Sequence, residues 1–600
     1  MIDRQAGSFR VHLSSRGGVI LLSILAVCYY AVYWRSGLML SGEEGVAAVV
    51  AQRLNCGERP IVDMFLGYNV GWFYPVAWIF KLFGTNYLLM RCWFFTLAIL
   101  SGLAAFAAIL RVTQSTLTAF LSALAVILMP GVIGRNYMGL LGLSGMLAIL
   151  CVFIVIPKSP LSRFLWMAGA GILISFAWLI RIDIGFFQTI LFFLTLLLFL
   201  TKPEPGIEAR LRHSALASVL LIVVFLSIQI PVYRYAVQRG FGPQYAAQYW
   251  IWPAMIRDGV HQLSDALQKT QFRKKFDPPT EGVVTGVPTS VQAPVSPHVG
   301  DLKDKTKEEN SVSYNPTSLK RPPLEIIFKG KDFKERLFAV LIYMPLPVSL
   351  LFSIWGLCLV LRSFVNREPN LWRSGGTLLV STGSALVLFP QYFFWRPDMV
   401  HLAEFMVPFM VALTTGLFLA AECWNKSRGV TRACLFLIMC LASLNLGSYL
   451  LKGWQTDGSG SIAASRRRHL DFSALNGIRV KLNSQELSRD TLLRNTILAH
   501  SKPGEFVLCY PYFPMVNFMT DRPSCEYNLY ADNALPPRQF FAQAKANMES
   551  HHPAVIVIGT GKINDTESSR FVNWASETYG YIRQHYRLVA SDNDIEIYVP

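Results

Sequence analysis

Residues 17–34 read GGVILLSILAVCYYAVYW, and residues 41–45, a short way on, read SGEEG. The first stretch is uncharged and close to the ~20 residues a helix needs to cross about 30 Å of hydrocarbon. The second places two carboxylates where the chain would leave the bilayer. Arg4, Arg10 and Arg16 precede the apolar run and no small-residue cleavage site ends it, which reads as a retained anchor rather than a signal peptide. A membrane span followed at once by an acidic pair sets the frame for everything downstream.

Apolar runs of spanning length recur at 87–110, 114–133, 137–157, 164–180, 184–201, 213–236, 338–361, 374–395, 402–422 and 433–452. Composition agrees. Across 600 residues, 52% are hydrophobic, 13% aromatic and 16% charged, against about 25% charged in an ordinary soluble protein. The mean hydropathy is +0.37. Disordered, collagenous and disulfide-scaffold classes are excluded. The formal charge of +17 need not mean nucleic acid. With the N-terminus inside, the short inner segments carry fifteen Lys and Arg, and the short outer loops hold only Arg135, Arg181 and Arg396. That is the positive-inside pattern. The expected fold is an α-helical polytopic membrane protein of about eleven transmembrane helices in an inner (plasma) membrane.

Three expected outer segments are long. Residues 35–86 contain amphipathic stretches at Glu43–Leu54 and Trp72–Phe83, both expected along the membrane surface. Residues 237–337 form a second loop whose middle, Asp277–Pro323, is rich in Pro, Ser, Thr and Lys and is expected to be mobile. The tail from Gly453 to Pro600 turns polar. Strand-like runs at Phe506–Tyr510, Ala554–Ile558, Tyr586–Ala590 and Ile595–Val599 alternate there with helical stretches at Ser484–Ala499, Arg538–Ser550 and Ser568–Gln584. The domains expected are therefore a membrane domain, 1–452, and a small extracytoplasmic α/β domain, 453–600. Of ten cysteines, six lie in spans and Cys423 near an inner helix end. Cys56, Cys509 and Cys525 face the outer side, with Cys509–Cys525 a possible bridge. No Cys or His cluster has zinc spacing.

The chemistry-bearing residues are charges gathered at the outer ends of the spans. They are Glu43 and Glu44; Asp63, after the turn Gly57-Glu-Arg-Pro and before the aromatic stretch 65–72, FLGYNVGW; Arg181 with Asp183; and Arg396, Asp398 and His401, with Glu404 following. Each also has an ordinary explanation, as a solvated helix start, a turn or a local ion pair. Taken together they supply a carboxylate as base, arginine for phosphate and aromatic surface for a sugar.

Their order resembles the polyprenyl-phosphate-sugar-dependent membrane glycosyltransferases of the C-type fold, the protein O-mannosyltransferase and lipid A aminoarabinose transferase superfamily (glycosyltransferase family 39-like). The residues that carry the resemblance are Glu43-Glu44, Gly57-Glu-Arg-Pro-Ile-Val-Asp63, Lys81-Leu-Phe-Gly84, Leu88-Leu-Met-Arg91 and Arg396-Pro-Asp398-Met-Val-His401. Two positions differ: the first acidic pair is Glu-Glu rather than Asp-Glu, and residues 68–72, YNVGW, replace a Pro-rich turn.

The resemblance implies transfer of a sugar from a polyprenyl-phosphate donor to an acceptor hydroxyl at the extracytoplasmic face, with inversion. By position Glu43 is the base, with Glu44 and Asp63 as catalytic partners. Arg91, Arg181, Asp183, Arg396, Asp398 and His401 are the substrate-binding set. A divalent metal bridging carboxylates and phosphate is possible. Glycan, lipid and protein acceptors all fit. A shared cavity for Glu43, Asp63, Arg396 and His401 requires the Cys56–Pro60 turn to fold the chain back. The alternatives are a lipid or sugar transporter or flippase, which should show an internal repeat and broken mid-membrane helices, and an inactive envelope scaffold.

Overall fold

The structure is a computed structural model. It describes residues 14–129, 135–203, 206–249, 344–388, 399–424, 462–529, 537–562, 567 and 570–600, with isolated positions within 333–340 and 429–440. The stretch 277–323, most of the last expected span, and Arg396 with Asp398 lie outside the described residues. For His401 only the helix backbone is described.

In chain order the helices are α1 (Ser15–Tyr33), α2 (Glu43–Asn55), α3 (Val70–Phe83), α4 (Tyr87–Thr113), α5 (Thr116–Leu128), α6 (Asn136–Ile149, widening into a π turn to Ile154), α7 (Pro160–Ile180), α8 (Ile182–Leu200), α9 (Ile207–Gln238), α10 (Pro345–Asn366), α11 (Pro369–Leu386) and α12 (Met399–Trp424). Among the described residues eight are long and apolar enough to cross a membrane: α1, α4, α6, α7, α8, α9, α10 and α12. The chain is a polytopic helical membrane protein.

Two expected spans are shorter than their apolar runs. Helix α5 has 13 residues, about 20 Å of rise. It stops because Met129, which precedes Pro130, is extended (ψ 130°), the conformation a following proline favours. Helix α11 buries Thr377, Ser381, Thr382 and Ser384 and packs between α10 and α12. Small residues let it come close, since a Cβ at Gly375 would stand 2.5 Å from the Gly356 carbonyl.

The two expected surface helices differ in kind. Helix α3 exposes Trp78, Leu82 and Phe83, an apolar set suited to the interfacial layer. Helix α2 does not lie open on a surface; Val46 through Ala51 are buried. Its row of small residues admits the tail, and at Gly45 a Cβ would stand 2.6 Å from the Met515 amide nitrogen.

The tail supplies that cover. It runs α13 (Ile462–Arg467), β1 (Leu470–Ser473), β2 (Arg479–Leu482), α14 (Ser484–His500), β3 (Val507–Tyr510), α15 (Pro514–Thr520), α16 (Pro537–His551), β4 (Val555–Gly559), α17 (Phe571–Trp574), α18 (Ser576–His585), β5 (Arg587–Asp592) and β6 (Ile595–Val599). The main sheet has the order β3-β4-β6-β5. Its first pair is parallel, with Val507 opposite Val555, and the others are antiparallel. Central β4 is buried along its whole length, and α14 begins in a capping box between Asn483 and Glu486. The expected α/β tail domain is present. The β1–β2 hairpin was not expected, because strands of four residues carry too little alternation to show. Cys509 and Cys525 are free thiols.

Main-chain hydrogen bonds stitch this tail to the loop between α1 and α4. Lys481 N donates to Arg35 O (2.6 Å), Gly37 N to Lys481 O (2.9 Å), Phe65 N to Tyr527 O (2.6 Å) and Tyr87 N to Asn476 O (2.9 Å). Tail and bundle share one apolar core.

One buried tail charge gives a pH signature. Burial pushes the Asp490 carboxyl up to about 6, against the pull of Arg489. An unfolded aspartate ionises near 3.9, so folding takes up a proton between these values. Stability contributed by the protonated form is full below pH 4 and lost as pH rises through 6, a swing of roughly 3 kcal/mol. Asp490→Asn cannot ionise. Its thermal midpoint in detergent should therefore gain on the native chain between pH 4 and 6.5. A difference that is flat with pH would remove Asp490 ionisation from the account.

Candidate active site

Adjacent glutamates open α2, and neighbouring positions on a helix face about 100° apart. One turns into the scaffold. Glu44 Oε1 accepts from Arg91 Nε (3.1 Å), and its Oε2 from Arg91 Nη2 (3.0 Å) and from the Tyr87 hydroxyl (2.7 Å). Arg91 Nη1 also donates to the Trp34 and Ser36 carbonyls (3.2 and 3.0 Å). Arg91 is wholly buried and Glu44 nearly so. Expected as a catalytic partner and a substrate-binding residue, these two are given over to each other and to the chain between α1 and α2. Their contribution is to hold the start of α2 in place.

Glu43 turns the other way. Its Oε1 accepts from the Tyr68 hydroxyl at 2.8 Å and lies 3.9 Å from Arg135 Nε, which is 2.7 Å from Glu404 Oε1. Arg135 immediately precedes α6 and Glu404 sits on α12, so Arg135 links α12 to the carboxylate that opens α2. Burial raises the Tyr68 phenol well above its ordinary range, which keeps it a hydrogen-bond donor to Glu43.

Arg181, between α7 and α8, closes the far side. Its guanidinium carbon lies 5.6 Å from the Tyr68 ring centroid. It is held in a bidentate pair by Asp183, with Nε 2.8 Å from Oδ1 and a second bond from Nη2 to Oδ2. Asp183 stands in the first turn of α8, where a carboxylate suits the helix dipole.

Three rings pack together beside these charges. Tyr68 is 5.0 Å from Trp72 and 6.0 Å from Tyr137, and Trp72 is 5.5 Å from Tyr137, centroid to centroid. Trp72 and Tyr137 are each 2% exposed, yet Trp72 Nε1 and the Tyr137 hydroxyl have no hydrogen-bond partner. A buried unsatisfied polar group costs about 1–3 kcal/mol, and two stand here side by side.

Asp63 does not join this cluster. Its carboxylate takes three bonds from Arg59, to the backbone N (2.7 Å), Nε (3.0 Å) and Nη2 (2.8 Å). Hydrogen bonding to Arg59 holds it below the usual carboxylate range. Its carbonyl accepts from Arg53 Nη2 at 3.0 Å, and Arg53 lies about 15 Å along α2 from Glu43. The chain does fold back after α2, with Gly57 at φ +93°. The residue delivered to Glu43 by that return is Tyr68.

The structure thus brings together Glu43, Arg181 and Asp183 of the expected set, and adds Tyr68, Trp72, Arg135, Tyr137 and Glu404. A signal for the arginines was present, since Arg135 and Arg181 are two of the three basic residues in the short loops expected outside. Tyr68 and Trp72 belong to the aromatic stretch quoted above. Among the described residues no group of three or more His, Cys, Asp or Glu is placed to hold a metal ion. Glu43 and Glu404 both face Arg135, so this donor set does not fit a divalent cation.

The two glutamates predict opposite mutational behaviour. Arg91→Met strands a buried Glu44 charge and should lower stability by about 3–5 kcal/mol. Glu43→Gln keeps an acceptor for Tyr68 and should shift it by less than about 1 kcal/mol. Thermal unfolding of both purified variants checks this; equal losses would contradict the division of roles.

No model of a protein family matches the chain, and no curated protein matches it. By shape it is similar to the archaeal oligosaccharyltransferase AglB from Archaeoglobus fulgidus, solved with an inhibitory peptide and a dolichol-phosphate. The TM-score is 0.49 at 14% identity, over 95% of this chain and 72% of that one. It is also similar to ArnT from Cupriavidus metallidurans. The apo form gives a TM-score of 0.48 at 12% identity, over 97% and 98% of the two chains. The form bound to undecaprenyl phosphate gives 0.47 at 13%, over 98% of each.

Proposed function

We propose that this chain is a membrane glycosyltransferase of the C-type fold that moves a sugar from a polyprenyl-phosphate donor to an acceptor hydroxyl, with inversion. The observation that carries the reading is Glu43, a carboxylate oriented by Tyr68 in a cluster with two buried arginines. A base and a phosphate-binding charge at one place are what displacement of a lipid phosphate needs.

In this reading Glu43 takes the proton of the acceptor hydroxyl as its oxygen attacks the anomeric carbon. The bond from that carbon to the phosphate oxygen breaks, and the electron pair leaves with the polyprenyl phosphate. A single displacement of this kind inverts the anomeric centre. Arg181 and Arg135 stabilise the charge growing on the leaving phosphate. Asp183 and Glu404 hold those guanidiniums in place. Glu44 and Arg91 keep α2 fixed so that the Glu43 carboxylate stays aimed.

The side of the membrane follows from the loop charges. The basic residues of the short loops support a cytoplasmic N-terminus, with the site and the tail domain, 453–600, on the extracytoplasmic face. A transporter would put its charges at mid-membrane. Here they gather around the start of α2, against which the tail packs.

With a labelled short-chain polyprenyl-phosphate sugar and purified protein, Glu43→Gln should lower turnover by roughly 10²–10⁴ while the variant keeps its melting temperature. Native turnover in the variant would remove Glu43 from the base's role. A reporter fused after Pro600 should be active only outside the cytoplasm; cytoplasmic activity would reverse the orientation.

A further inference from the structure

We propose that the end of α9 and the face of α3 beside it bind the headgroup of an anionic phospholipid, with the phosphate on Arg239 and Lys81 and the upper acyl chains against exposed aromatic rings. The site is separate from Glu43 and does not depend on the reaction.

Helix α9 sets the depth. Between Arg212 and Arg234 it carries no Asp, Glu, Lys or Arg. Those twenty-two positions rise about 33 Å, close to the ~30 Å of hydrocarbon in a bilayer. The stretch from Tyr233 to Arg239 therefore stands at headgroup level. Helix α3 is held at the same depth, because the Tyr74 hydroxyl donates to the Tyr235 hydroxyl at 3.3 Å and the two rings are 5.9 Å apart. Tyr74, Trp78 and Lys81 share one face of α3 by their spacing of four and three, and the rings of Tyr74 and Trp78 are 6.1 Å apart. Trp78, Tyr235 and Val237 are exposed, and so are Lys81 and Arg239. Aromatic rings with bases beside them suit the boundary between acyl chain and headgroup.

The charges set the class of lipid. Arg239 Nε donates to the Tyr235 hydroxyl at 3.3 Å, and its guanidinium carbon lies 5.8 Å from that ring's centroid. The N–H groups on its two Nη atoms are left for a ligand. Lys81 faces the same hydroxyl from α3. The groups that act on Arg239 are the Tyr235 and Tyr74 phenols, with no carboxylate among them. Arg59, whose Nη1 would stand 3.7 Å from a Cβ at Gly240, brings a third guanidinium near, but that one is already bonded to Asp63. Two cations thus share one tyrosine with no carboxylate among the described residues to balance them. A phosphodiester supplies the missing charge and accepts from both side chains. A choline or ethanolamine headgroup brings a cation of its own and cancels most of the attraction, so a headgroup of net negative charge is favoured.

The test uses the full chain, purified in neutral detergent, delipidated and titrated with phosphatidylglycerol or phosphatidylcholine while the thermal midpoint is followed. Phosphatidylglycerol should raise the midpoint saturably, and phosphatidylcholine should need at least about tenfold more lipid for the same rise. Arg239→Gln combined with Lys81→Gln should weaken the phosphatidylglycerol response at least about tenfold and leave the lipid-free midpoint unchanged, since both side chains are exposed. If the double variant does not fold, Lys81→Gln alone reads the site through a smaller loss in the same direction. Equal responses to the two lipids would overturn the charge selectivity, and a native phosphatidylglycerol response in the variants would overturn the location. A double variant that loses its response to farnesyl phosphate yet keeps that to phosphatidylglycerol would give the patch to a lipid monophosphate and overturn the proposal. No sugar transfer is measured, so failure of the glycosyltransferase reading leaves each of these outcomes as it stands.

Discussion

The Arg91 guanidinium is the constraint on which the rest of the site depends. Five hydrogen-bond donors in a rigid fork reach both oxygens of Glu44 and the carbonyls of Trp34 and Ser36. Those groups belong to the exit of α1 and the start of α2, and Arg91 itself stands in the first turns of α4. Burying a charge is unfavourable unless it is paired and its remaining bonds are satisfied. Tyr87 supplies a further bond to Glu44. A pair enclosed this completely has one low-energy arrangement, and the loop from α1 to α4 inherits that geometry.

The tail makes the same loop rigid from the other side. Its hairpin continues the backbone bonding of residues 35–37, and α15 rests on the small-residue face of α2. Tyr527 adds a hydroxyl bond to the Ile61 carbonyl, in the turn that returns the chain from α2 to Tyr68. The tail domain thus packs directly against the helix that Glu43 opens. Loops are usually the mobile part of a fold. This one is held between two scaffolds.

What could be read in advance follows the range of the forces involved. Spans show in the sequence because each needs about twenty apolar residues in a row. Of the tail strands that build the main sheet, β4 (VIVIG) and β6 (IEIYV) show as runs of β-branched and aromatic residues, and β3 and β5 as shorter apolar pieces. The burial of α2 did not show, since GVAAVVA looks like the apolar half of a surface helix until the tail is brought against it. Of the residues that meet around Tyr68, local patterns pointed to Glu43, Arg181 and Asp183. They did not show that the Asp63 carboxylate pairs with Arg59 four residues away, or that Arg91 pairs with Glu44, forty-seven positions earlier. Glu404 and Arg135 meet only through tertiary packing, and no spacing rule joins them.

Two identical side chains in sequence end with different work because of a rotation of about 100° along one helix. The inward glutamate can be spent on structure only because the next element offers a bidentate partner. The outward one is left to Tyr68 and Arg135, on a backbone that its neighbour holds in place. A base that swings through several rotamers is correctly placed for only a fraction of encounters, and misplacement by about 1 Å can reduce rate a hundredfold. Tyr68 restrains the carboxylate at its tip, and Glu44 restrains the helix at its root. An Asp in the second position would shorten the reach to Arg91 by one methylene and draw α2 toward α4. The Glu-Glu pair is matched to the separation of these helices, and the aim of Glu43 depends on the length of the side chain beside it.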